Sequence, residues 1–173
     1  MSKTKKYTLI ALLASILVIS KEILAFLPNF EFVSFLLIIY VNKLTLYTTL
    51  LISIIFCFIQ VILYGFGLWT PVYFIIWPSF VYMTYILKNK LNNETKIAIY
   101  NALFGLTFGF FNSIPYFMID LPFGWAGFLR GIPYDLIHCI GNYMIVLLLY
   151  EKTNRLLQKH IPSFWWDFFA FLK

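Results

Sequence analysis

The sequence predicts an all-α integral membrane protein, a six-helix transmembrane bundle with both termini cytoplasmic. Three observations predict it. Apolar residues make up 62% of the 173 residues and charged residues 12%, against about 45–50% and about 25% in a soluble domain. Mean hydropathy is +0.85. The few charges are sorted, with basic clusters at Lys3/Lys5/Lys6, Lys43, Lys88/Lys90/Lys96 and Lys152/Arg155/Lys159 separated by long uncharged runs. A soluble enzyme, a disordered tail and a secreted disulfide scaffold are excluded, because too few charges remain to cover so much apolar surface. Six spans of roughly 20 residues would use about 120 of them. The chain therefore reads as a single transmembrane domain over residues 1–173, with little left for a nucleotide-binding unit.

Each segment has its own signals. Residues 7–27 form the first, stopped by Pro28 and Asn29. A basic start followed by an apolar run resembles a signal peptide, but no A-x-A site follows, so it reads as a retained helix. The second, residues 30–41, is short for a span and ends at Asn42-Lys43; it is expected to be tilted or buried among the others. The third, residues 44–63, ends at Gly65 and Gly67. The fourth, residues 71–87, contains Pro78 and ends in Lys88 and Lys90. The fifth, residues 97–119, holds Pro115 near its end. The sixth, residues 133–150, begins with Pro133 in its first turn and continues as a polar helix to about residue 159. The tail from about 160 to 173 is too short to span, and Trp165 and Trp166 suit a headgroup interface.

Basic residues favour the cytoplasmic ends of helices. With the N-terminal lysines inside, six crossings return every basic cluster to the inside. Of the thirteen basic residues, Lys21 and Arg130 alone fall in or near the outer half. The positive charges form no patch interleaved with polar residues, so nucleic acid is not an expected partner. Cys57 and Cys139 lie in apolar runs and read as small buried hydrophobes.

Most of the remaining ionisable groups collect at the outer ends: Lys21, Glu22, Glu31, Asp120, Arg130, Asp135 and His138. Ionisable groups at membrane depth mark function by default. Aromatics crowd the same connections, among them Tyr64, Trp69, Tyr73, Trp77 and Trp125. Polar anchors between aromatic walls describe a small-molecule site; an interfacial belt with ordinary charges is the alternative. Asp135, His138 and Asn142 are spaced i, i+3 and i+7 and share a helix face. They either hold a ligand or tie the sixth helix to its neighbours by buried hydrogen bonds. Only His138 and His160 are present as histidines, far apart, so no metal site and no cofactor is expected. Gly105 and Gly109 form G-x-x-x-G, and Ala11 and Ser15 a small-x-x-x-small pair; both patterns allow close helix approach. For the glycines internal packing is expected, while Ala11 and Ser15 suit an external partner as well as internal packing. No Walker motif, nucleophile elbow or H-E-x-x-H is present, so uphill transport would draw on an ion gradient or on partner subunits.

The short basic N-terminus, the six segments and the stretches ILAFLPNFEFVSFLL, YGFGLWTPVYFIIWP and GIPYDLIHCIGNYMIVLLLYEKTNRLL resemble the substrate-binding S components of energy-coupling factor (ECF) transporters. The resemblance implies a non-enzymatic, multi-pass protein of a prokaryotic cell membrane. Such a protein captures a vitamin or related micronutrient from outside. It then delivers it with a transmembrane coupling subunit and two ATPase subunits. It also implies a coupling contact on the first helix, where the family commonly carries A-x-x-x-A; Ala11 and Ser15 match, with the serine keeping the side chain small. The expected substrate residues are Glu31, Trp69, Tyr73, Trp125, Arg130, Asp135, His138 and Asn142. Trp69, Tyr73 and Trp125 would stack on a ring, Asp135 and Asn142 would hydrogen-bond it, and Arg130 would take a carboxylate or phosphate or pair with Asp120 or Asp135. Loops at 65–69 and 121–131 would close over the site. Pyridoxine-type compounds and cobalamin are the candidate substrates. A membrane-embedded enzyme using Asp120 and Asp135, or a non-transport assembly protein, are the other readings.

Overall fold

A computed structural model describes residues 3–26 and 30–160, with the side chains of 4–26 and 30–156. Among these residues the chain is all-helical. The helices are α1 (Lys3–Ile23), α2 (Val33–Lys43), α3 (Leu46–Tyr64), α4 (Trp69–Leu87), α5 (Glu94–Ile119) and α6 (Leu121–His160). The expected interfacial tail from 161 onward, and the Pro28-Asn29 turn, lie outside the described residues.

Local chemistry sets the helix ends. The Thr45 side chain accepts from the Thr48 N–H at 3.2 Å and starts α3. Asn93 does the same for α5 through the Lys96 N–H at 2.9 Å. Each satisfies an N–H that the first helical turn leaves without a partner. Gly65, at φ +76°, ends α3 in a backbone conformation that only glycine adopts freely.

α3, α4, α5 and residues 121–156 of α6 are long and apolar enough to cross a membrane. α1 has 21 residues, but the charges at its two ends (Lys5 and Lys6, then Lys21 and Glu22) leave it outside that set. α2 has 11 residues and rises about 16 Å, roughly half of a 30 Å hydrocarbon core. Eight of its residues are buried. It is the central element, enclosed by α1, α3, α4 and α6.

Side-chain pairs fix the register of the rest. α1 and α3 run parallel: Lys6 stands over Tyr47 at one end, while Glu22 meets Gln60 and Tyr64 at the other. α4 and α5 run antiparallel on an aromatic ladder of Phe80 on Tyr100, Trp77 on Phe104 and Tyr73 on Phe108. α5 and α6 form the most extensive pairing. Its rungs join Asn101 to Asn142, Gly105 to His138 and Gly109 to Asp135.

The sixth segment differs from expectation. Residues 121–131 do not form a loop; they are the first turns of α6, and Pro133 stands inside the helix. Asp120 is the whole connection. Its carboxylate accepts from the Phe123 N–H at 3.1 Å and starts the helix there. Gly124 then lies directly against Phe117, so α5 and α6 turn tightly and pack from their first contact. The missing proline N–H is tolerated because neighbouring helices and local adjustment can absorb it.

Candidate functional site

The polar residues at one end of the bundle surround a cavity of about 350 Å³. Its walls come from the end of α1 (Lys21, Leu24, Ala25), the entry to α2 (Phe30, Glu31, Val33), Tyr64 of α3, Tyr73 and Trp77 of α4, Phe108 of α5 and His138 of α6. Because the helices alternate in direction, this is the end opposite Lys5/Lys6, Lys43, Lys88/Lys90 and Lys152/Arg155.

Glu31 organises the polar wall. Its carboxylate accepts from the Val33 N–H, from the Ser34 N–H at 3.2 Å and from the Ser34 hydroxyl at 2.7 Å. It therefore caps α2, where a negative charge at a helix N-terminus is favourable. It also meets His138 Nε2 at 3.3 Å, with both side chains nearly buried. An ionised carboxylate only accepts, so toward it Nε2 is the donating nitrogen. His138 is held from its other faces by Phe108 and Phe104, with ring centroids at 5.2 and 6.5 Å.

A second polar group stands at the mouth. Glu22 accepts from Lys21 at 3.3 Å, from Gln60 at 3.5 Å and from the Tyr64 hydroxyl, while the Lys21 ammonium lies 4.5 Å over the Tyr64 ring. The apolar wall is built from rings packed edge to face: Trp69 on Tyr73 at 5.0 Å, Tyr73 on Trp77 at 6.0 Å, and Trp77 between Phe56, Phe104 and Phe108.

Of the eight residues expected to bind substrate, the structure brings Glu31, Tyr73 and His138 together at the cavity. Trp69 stands behind Tyr73 and supports it. Asn142 is elsewhere: its amide donates to the Asn101 carbonyl at 3.2 Å while Asn101 donates to the Asn142 carbonyl at 3.4 Å. Asp135 accepts from the Gly109 N–H at 2.9 Å. Both side chains bind α6 to α5. Trp125 is more than half exposed and packs on Phe117 and Phe128. Arg130 lines a different groove between α5 and α6, with Asn112, Ser113 and Tyr116. Trp125 and Arg130 sit apart because 121–131 continues α6 instead of folding over the cavity. Ala11 and Ser15 face outward, with Ala14 buried beside them, and the Ser15 hydroxyl donates to the Ala11 carbonyl at 2.9 Å.

The cavity also uses residues not singled out as ligands. Trp77 follows Trp69 and Tyr73 at four-residue steps, a stripe legible in the sequence. Phe108 carries no comparable signal; only its packing against α4 places it. Among the described residues no three His, Cys, Asp or Glu side chains cluster as metal ligands. No family model, curated protein or solved structure matches this chain.

Proposed function

We propose that the chain is the substrate-capture S component of an ECF-type transporter in a prokaryotic cell membrane. In this reading six segments cross or enter the bilayer, with α2 as a short buried element and both termini cytoplasmic. The cavity then opens outward. It takes up a small vitamin-like solute, and a coupling subunit with two ATPase subunits drives its delivery inward.

One observation carries the reading. The polar, ring-walled cavity holding Glu31 and His138 lies at the end of the bundle opposite the lysine-bearing ends. Lysine and arginine mark the cytoplasmic side, so the cavity falls outside. Its volume of about 350 Å³ is at the small end of ligand pockets, which favours a pyridoxine-sized ring over a cobalamin. The outward-facing Ala11 and Ser15 leave the small-residue face of α1 open to a coupling subunit. The enzyme reading loses support, because Asp120 caps α6 and Asp135 binds the α5 backbone.

Purified protein heated against a panel of vitamins tests the proposal. One compound should raise the melting temperature in proportion to the logarithm of its concentration. Tagged protein should also recover a coupling subunit, and Ala11→Trp should lower uptake without lowering substrate affinity. A silent panel, together with a pulldown free of any coupling subunit, overturns it.

A further inference from the structure

At the cavity end of the bundle the acidic side chains are already engaged. Lys21 pairs with Glu22, Glu31 meets His138, Asp120 caps α6, and Asp135 accepts from the Gly109 N–H. Among the described residues Arg130 has no ion-pair or hydrogen-bond partner. It is exposed and borders a groove of about 390 Å³ between α5 and α6. Gly127 and Gly131 leave this groove open. An added Cβ would meet nothing within 4 Å at Gly127 and only Asp135 Oδ2, at 4.0 Å, at Gly131. Asn112 and Ser113 donate to the Phe108 and Gly109 carbonyls of their own helix, at 2.9 and 2.8 Å. The Arg130 guanidinium and the Tyr116 hydroxyl are the uncommitted donor groups of the groove.

Helix length gives the depth. Glu94 and Tyr150 stand side by side at the lysine-bearing end. Arg130 is about 20 residues from Tyr150 along α6, or about 30 Å. Ser113 is about 19 residues from Glu94 along α5, or about 29 Å. Both lengths match a hydrocarbon core of about 30 Å, so the groove falls at the far headgroup level. A guanidinium binds phosphate through paired, parallel N–H donors. The flanks are apolar: Phe110 and Ile114 on α5, and Leu129 and Ile132 on α6, are exposed beside the groove residues.

We infer that the groove holds the phosphate of an anionic phospholipid of the outer leaflet. Arg130 and Tyr116 donate to it, and the acyl chains lie along the exposed faces of α5 and α6. A free phosphate would use the same donors but not the apolar flanks. The site is separate from the solute cavity. It uses the membrane placement of the capture reading but not its solute.

Native mass spectrometry of the full chain in a neutral detergent tests this by titration. The probes are dioleoyl phosphatidylglycerol, dioleoylglycerol (the same chains without the phosphate) and inorganic phosphate. Phosphatidylglycerol should bind at least about tenfold more tightly than dioleoylglycerol, for gain of a charged hydrogen bond. Arg130→Gln should lose about that factor for phosphatidylglycerol and leave dioleoylglycerol unchanged. Gly127→Leu fills the groove without touching the charge and should also weaken phosphatidylglycerol. If that variant fails to fold, Arg130→Gln, at an exposed position, still decides. Equal binding of the two lipids, or an unchanged affinity in Arg130→Gln, overturns the inference. Inorganic phosphate that binds as tightly as phosphatidylglycerol also overturns it, because the apolar flanks would then contribute nothing. Phosphatidylglycerol binding without capture of any vitamin leaves this inference standing while the capture reading falls, and the reverse result sinks this inference alone.

Discussion

Adding a single methyl group to three glycines should separate them sharply. Alanine in a helix interior is favoured over glycine by about 1 kcal/mol. At Gly127 an added Cβ meets nothing within 4 Å, so Gly127→Ala should gain roughly that amount. At Gly109 the same Cβ falls on the Asp135 carboxylate. Overpacking costs about 1–3 kcal/mol. Displacing Asp135 also removes its 2.9 Å bond from the Gly109 N–H, a charged hydrogen bond worth about 1.5–3 kcal/mol. After the propensity gain, Gly109→Ala should be destabilised by roughly 2–5 kcal/mol. Gly105 lies between the two: its Cβ would stand 2.9 Å from the His138 carbonyl carbon and oxygen, a backbone that cannot swing aside, and 3.0 Å from Asn142 Nδ2. Gly105→Ala should lose roughly 0–2 kcal/mol. Thermal unfolding in detergent, followed by tryptophan fluorescence, reads the order. With about 2–4 °C per kcal/mol for a chain of this size, Gly127→Ala should rise a few degrees, and Gly109→Ala should fall by roughly 6–12 °C for a 3 kcal/mol loss. Equal shifts at all three glycines, or no loss at Gly109, would refute the α5–α6 seam described above.

Four further substitutions address the cavity and its surroundings. Glu31→Gln replaces one acceptor oxygen by a donor facing the Val33 and Ser34 N–H groups; loss of a charged hydrogen bond, worth about 1.5–3 kcal/mol, should lower the melting temperature by roughly 3–12 °C. Asn142→Ala breaks the reciprocal clasp with Asn101 and should cost about 1–2 kcal/mol, the scale of interhelical hydrogen bonds in membranes, with ligand preference unchanged in a competition assay. Trp125→Ala and Arg130→Gln, outside the cavity, should leave affinity within about twofold, less than the loss of one net hydrogen bond; a tenfold loss at either would mean that residues 121–131 do reach the ligand.

Asp135, His138 and Asn142 show how far the residues can be read without the fold. Their spacing places them on one helix face, and all three are buried together. What that face meets depends on residues 26 to 107 positions away. Two of the three answer backbone groups of α5, and one reaches Glu31. Residues 121–131 show the opposite case. Three glycines there suggest a loop, yet packing against α5 and the cap at Asp120 favour a continuous helix over the cost of each glycine.

The sequence by itself determined the helical class, the gathering of most lysines at one end of the helices, and the aromatic step from Trp69 through Tyr73 to Trp77. These follow from composition and from the helical period, which are local properties of the chain. Only the tertiary structure decided which polar groups meet. It turned Glu31 from an interfacial carboxylate into the cap of α2 and the partner of His138. It moved Asn142, Asp135, Trp125 and Arg130 away from the cavity, and brought Phe108 into it. The physical reason is that a buried polar group is satisfied by whatever neighbour the packing supplies, and neighbours across helices carry no periodic trace in the sequence.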